Sequence, residues 1–161
     1  TAARFRLIAS SQGDQLLLRT IVDVSLQPAA FMVLRGDETL LGCAQVIEAR
    51  AELLGRGIKA RVVSLPSWDL FDAQPQAYRD TILPPSVLAR VAVEAGVPQG
   101  WEKYTGAFGA VVGIENRFGA SAPLKVVMEK LGFTAANVAA KAAEVVAALP
   151  ARLQAAGLRQ A

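Results

Sequence analysis

Histidine is absent from this 161-residue chain, and cysteine occurs once, at Cys43. Without histidine, Ser-His-Asp and Cys-His catalysis are closed, and so is the commonest transition-metal ligand. One cysteine excludes an internal disulfide and any multi-cysteine metal site. Its place in the apolar stretch TLLGCAQVI (Thr39–Ile47) reads as a buried thiol and not a nucleophile. No run of 18 apolar residues occurs, so the sequence predicts no membrane span. Arg4 and Arg6 precede only the short apolar run Leu7–Ala9, which is no secretory signal. There is neither a GxGxxG fingerprint nor a Walker loop. The 17 basic residues stand against 14 acidic ones, net +3, and are dispersed without a basic run or interleaved aromatics. Nucleic-acid binding would want a clustered patch, so none is predicted. Most ways of being a small autonomous enzyme are closed by these absences.

What is abundant is apolar residue, at 53%, and mean hydropathy is +0.34. Two compatible readings account for it: alanine-rich helices, and surface covered by other domains or a second subunit. From residue 30 onward short β-branched runs alternate with longer helical stretches, the pattern of a mostly parallel sheet under helices. Phe31–Arg35 is the expected first strand, and Asp37 the cap of the helix after it. In that helix Leu40, Cys43, Ala44, Ile47, Ala51 and Leu54 recur at three- and four-residue steps and are expected to face the core. Gly55 and Gly57 end it. Lys59–Leu65 is the second strand, stopped by Pro66. Ser67 is placed to cap Trp68–Ala73, and Pro75–Ile82 is a further helix. Val87–Val93 and Val111–Ile114 are expected strands. Ser121 is expected to cap a helix over Ala122–Leu131, and Thr134 one over Ala135–Leu149, with Phe133 and Val138 as a hydrophobic staple. Pro150 is expected to break that last helix, leaving a short one over Ala151–Ala161.

The stretch GIKARVVSLPSWDLFDAQ (Gly57–Gln74) is followed by AYRDTILPP (Ala77–Pro85), ARVAVEAG (Ala89–Gly96), GWEKY (Gly100–Tyr104) and RFGASAP (Arg117–Pro123). In that order these segments resemble the C-terminal domain of transketolase, over Phe31 to Leu149. The resemblance departs in two places. LRGDE (Leu34–Glu38) stands where the family has an ATGSE-like turn, and about four more residues than usual, close to one helical turn, precede Gly57. GIENRFGASAP (Gly113–Pro123) is one residue longer than usual. Thr1–Gln27 matches nothing in the family, so residues 1–28 form an unassigned segment or linker and 29–161 the domain.

The resemblance implies an α/β fold of three layers, α/β/α, around a mixed, mostly parallel sheet of about five strands. It implies a cytoplasmic, homodimeric enzyme of the pentose phosphate pathway that moves two-carbon ketol units between sugar phosphates. Thiamine diphosphate and a divalent cation belong to the parent enzyme, whose other domains bind and activate them. Nothing here resembles the family's GDG…N diphosphate-metal motif, so no catalytic, cofactor-binding or metal-binding residue is assigned. The implied partners are the other transketolase domains and a second subunit, with neither nucleic acid nor membrane. The implied role is packing, with the isolated chain inactive. A regulatory or ligand-binding module and one subunit of a split transketolase stand as alternatives.

Some residues could nonetheless carry a site. Arg117 with Ser121 forms a candidate anion site, a guanidinium beside a helix N-terminus and a hydroxyl. Asp69 and Asp72, three apart on one helix, read as dipole partners or solvated face more than as paired catalytic carboxylates. Trp68, Phe71 and the group Trp101, Glu102, Lys103 and Tyr104 read as structural clusters, and Glu94 stands at the strand end where open α/β sheets bind ligands, equally readable as a dipole partner or salt-bridge residue.

Overall fold

The computed structural model describes residues 30–34, 40–115 and 121–158. The segment Thr1–Gln27, Arg117 and the Cys43 side chain lie outside the described residues, so the readings placed on them are not decided by the structure.

Four strands form one sheet: β1 (Ala30–Leu34), β2 (Ala60–Ser64), β3 (Arg90–Val93) and β4 (Ala110–Val112), in the order β2-β1-β3-β4. Every pairing is parallel, with Met32 opposite Val62 on one side and Val91 on the other. The expected sheet was mixed with about five strands; among the described residues it is four-stranded and wholly parallel. Side chains alternate between faces, as they must in a strand. Ala60, Val62, Val91, Val93 and Val112 enter one core with α1 (Leu40–Gly55) and α6 (Ala135–Ala155). Val63 and Ala92 enter a second core with α2 (Trp68–Asp72), α3 (Gln76–Ile82) and α4 (Glu102–Thr105). The result is the expected three-layer α/β/α arrangement.

Helix α1 corrects one expectation. Val46, Ala49 and Leu53 are fully buried, whereas Ala44, Ile47, Ala51 and Leu54 are exposed. The helix is apolar on two sides, so periodicity alone could not choose between them. Packing against α6 and β2 chose the side that presents Val46, Ala49 and Leu53.

Three helices end alike. In α1, α5 (Leu124–Lys130) and α6 a glycine with positive φ (Gly57, Gly132, Gly157) follows the C-cap, and the next N–H reaches back to a helix carbonyl. Those bonds run from Ile58 to Leu53, Phe133 to Met128 and Leu158 to Leu153, satisfying carbonyls that would be orphaned. At α2, Ser67 caps as expected, its Oγ accepting from the Leu70 N–H. At α6, Thr134 accepts from the Asn137 N–H, and Phe133 and Val138 are both buried, as a staple requires.

Ser121 does not cap α5. That helix starts two residues later than expected, its N-cap is Pro123, and no side chain bonds its first turn. Pro150 does not break α6 either. The helix runs through it to Ala155 because its last turn is anchored from outside. Leu153 is buried, and the Arg152 guanidinium donates to the carbonyls of Ala107 and Phe108 at 2.7 and 2.9 Å.

By length and composition Leu124–Ala155 passes for a membrane span, with mean hydropathy 1.2. It is instead two helices broken at Gly132, and α6 buries Val138, Ala139, Ala142 and Val145 on the sheet and α1.

Candidate functional site

The strand order turns at β1 and β3, since β2 lies on one side of β1 and β3 on the other. In open α/β sheets such a point, at the C-terminal strand ends, is where ligands bind. Glu94 follows β3 there, half-buried, and its Oε2 accepts from Trp101 Nε1 at 3.3 Å. Its carboxylate is thus tied into the layer beneath.

That layer is an aromatic knot. Trp68 and Phe71 come from α2, and Trp101 and Tyr104 from the single turn of α4 and the residue before it. Trp68 meets Trp101 edge-on at 5.2 Å between centroids and Tyr104 at 5.3 Å, while Phe71 lies 6.1 Å from Tyr104. Such pairs add about 0.5–1.5 kcal/mol each beyond the area they bury. Gly100 lets the chain enter: its φ is +89°, and a Cβ there would lie 2.9 Å from the Trp68 ring.

Asp72 closes the knot at its rim. It accepts from Lys103 Nζ in an ion pair and from the Tyr104 hydroxyl at 3.1 Å. The Lys103 bond is the largest cause holding the Asp72 carboxyl below its ordinary value; burial opposes it, and the Tyr104 bond adds to it. Burial, then the Asp72 bond, pushes the Tyr104 phenol up. Asp72 therefore stays ionised and Tyr104 protonated near neutral pH, and neither is poised to exchange a proton with a substrate. Asp69 is exposed and makes no hydrogen bond to Lys103 or Tyr104; its charge adds, after that of Asp72, to the upward push on the Tyr104 phenol.

Beside the knot lies an open cleft of about 340 Å³, bordered by Asp72, Arg79, Asp80, Lys103, Tyr104 and Phe108, among others. Its charged rim is internally engaged, with Gln76 bridging Asp80 and Arg79. Arg90 forms its floor and donates to four carbonyls: Val87, Tyr104, Leu83 and Pro84. Burial lowers its pKa from the ordinary value. The same bonds explain why β3 starts at Arg90 and not at Val87. Residues 83–87 wrap around the guanidinium and are not free to pair with β1. An arginine between a Pro-Pro pair and a strand was the only trace of this clamp in the sequence.

Of the candidate anion pair, Ser121 is exposed and Arg117 lies outside the described residues, so the structure does not decide whether the two meet. Among the described residues no three His, Cys, Asp or Glu side chains group as a metal site. These residues therefore do not fit a metal-diphosphate group, and no chemical step is routed through one.

The model of the "Transketolase-like TK C-terminal domain" family matches residues 39–134. Transketolase 1 of Escherichia coli is 48% identical over 123 residues, which cover 76% of this chain and 18% of that protein. Transketolase of Geobacillus stearothermophilus is 46% identical over 69% of this chain and 16% of its own length. Among solved structures, transketolase from Leishmania mexicana superposes with a TM-score of 0.70 at 38% identity, covering 82% of this chain and 18% of its own. That from Campylobacter jejuni superposes at 0.62 and 28% identity, over 83% of this chain and 19% of its own. The chain thus spans less than a fifth of the length of these relatives. With the three-layer parallel fold and the family match together, it belongs to the transketolase C-terminal domain family.

Proposed function

We propose that this domain completes a thiamine-diphosphate-dependent transketolase by packing on the domains that hold the cofactor and on a second subunit. In this reading the assembled enzyme is a cytoplasmic homodimer, independent of nucleic acid and membrane. It transfers a two-carbon ketol unit from a ketose phosphate to an aldose phosphate. The domain extends from residue 29, a little before the matched region. Its contribution is shape and contact: the acid, base and metal chemistry is supplied elsewhere. The observation that carries the reading is the knot around Trp68, Trp101, Tyr104 and Asp72. It is built from the most distinctive family segments, yet its ionisable groups are locked to one another.

Complementation tests this. A transketolase lacking its C-terminal domain is mixed with this chain, and ketol transfer is followed. Turnover is expected to rise with the chain's concentration and to saturate. Titration of this chain alone with thiamine diphosphate and Mg²⁺ is expected to show no micromolar binding. Such binding, or failure of the mixture to gain activity over either part, would overturn the reading.

A further inference from the structure

The cleft beside the knot carries more positive than negative charge, and its polar groups are not all satisfied. Three cations, Arg79, Arg90 and Lys103, border it against two carboxylates, Asp72 and Asp80. Among the described residues only Lys103 of the three cations is paired with a carboxylate. Arg90 bonds to backbone carbonyls alone, so its charge sits in the floor without a counter-charge. Arg79 donates through Nη2 to the amide oxygen of Gln76, while its Nε is shut off from solvent and has no partner. The same holds for Asp72 Oδ1, although Oδ2 accepts from both Lys103 and Tyr104. Buried donors and acceptors are ordinarily satisfied, so each orphan asks for a cause. Here a donor and an acceptor are orphaned on residues that border the same cleft.

We propose that this cleft binds a small oxyanion, a carboxylate or a phosphate monoester, that carries a hydroxyl on a neighbouring carbon. Nε and Nη2 form one edge of a guanidinium, and that edge takes two oxygens of an oxyanion in parallel bonds. On Arg79 half of the edge is unpartnered, and the other half is held only by the neutral amide of Gln76, an exposed side chain. A charged acceptor forms the stronger bond, so it displaces Gln76 and engages Nε at the same time. Asp72 would repel a bare anion, but its Oδ1 accepts from a hydroxyl, which is why the ligand needs both groups. The surplus positive charge, with Arg90 beneath, favours an anion over a neutral polyol. A volume of about 340 Å³ is at the low end for ligand sites, suited to a molecule of a few carbons. The cleft lies where Leu83–Arg90 leads into β3 and Thr105–Phe108 leads toward β4, at the opposite strand ends from Glu94. The inference does not depend on which reaction the assembled protein catalyses.

The test is calorimetric titration of the full chain with glycerate and with glycerol 3-phosphate, one probe for each oxyanion. Glycerol and propionate, which lack the charge and the hydroxyl respectively, are the controls. At least one hydroxylated anion is expected to bind about tenfold tighter than either control, and whichever binds names the oxyanion. Arg79→Gln is expected to weaken that binding by about tenfold or more. Lys125→Gln removes the same charge at an exposed position of α5 outside the cleft and should leave the affinity within about twofold. Should Arg79→Gln fail to fold, as judged by circular dichroism, Arg79→Lys keeps the charge, loses the fork and is read in the same way. Binding of neither hydroxylated anion would overturn the proposal. So would controls that bind as tightly, or a loss at Lys125 as large as that at Arg79, the signature of unspecific anion attraction.

Discussion

At the scale of single residues, the decisive groups are those whose polar atoms are committed to one another. Asp72 is the clearest through one oxygen, Oδ2, which accepts from both Lys103 and Tyr104. Replacing it with alanine leaves the buried Tyr104 hydroxyl and the Lys103 ammonium without their acceptor, a loss of about 1–3 kcal/mol expected in urea unfolding at pH 7. Because the folded-state pKa of Asp72 is depressed, its contribution is present above the unfolded carboxylate value and disappears as pH falls through the folded one. Stability curves of the parent and of Asp72→Asn should therefore converge at acid pH and stay parallel from pH 5 to 8. Divergence below pH 4 would contradict the assignment. A second pair of substitutions separates two serine/threonine positions that look alike in sequence. Thr134→Ala removes a formed cap and should cost about 1 kcal/mol. Ser121→Ala removes none and should stay within about 0.5 kcal/mol. In the assembled enzyme Ser121→Ala and Arg117→Ala should leave KM for sugar phosphates unchanged. A tenfold rise in KM at constant Tm, about 1.4 kcal/mol of lost binding, would instead make that loop an anion site.

At the scale of elements, α6 shows tertiary contacts overruling a local rule. Proline inside a helix forfeits a hydrogen bond and costs about 3 kcal/mol relative to alanine. Pro150 is exposed, so its removal disturbs no packing. Pro150→Ala is expected to raise stability by about 1–3 kcal/mol, read as a shift of the urea midpoint at unchanged slope. Loss of stability would mean that a bend at Pro150 is needed to bring Leu153 and Arg152 to their partners. The segment before β3 shows the same precedence. Val87–Ala89 has strand composition, but the Arg90 guanidinium claims the surrounding carbonyls, so pairing begins only at residue 90.

For the molecule as a whole, apolar surface remains uncovered on more than one side. Val97 is 68% exposed after β3, and Leu124 and Val126 are about half exposed on α5. This matches a mean hydropathy of +0.34 better than alanine-rich helices alone, and it suits a domain made to pack on others. The isolated chain is accordingly expected to self-associate, with sedimentation showing mass rising with concentration and a polarity-sensitive dye binding. A clean monomer at high concentration without dye binding would refute it.

The alternation of strands and helices, the caps at Ser67 and Thr134 and the glycine that ends α1 were legible in the sequence, because each is a local matter of backbone conformation and nearest donors. So was the family, since the segments around Trp68, Trp101 and Tyr104 specify one packed cluster and keep their order and spacing. Which of two apolar sides α1 buries was not legible, because both have helical periodicity and only α6 and β2 choose between them. Nor were the passage of α6 through Pro150, the late start of β3 or the commitment of Asp72 to Lys103 and Tyr104. Each of these depends on a partner 3 to 45 positions away, and proximity of that kind is set by the folded chain and not by neighbouring residues.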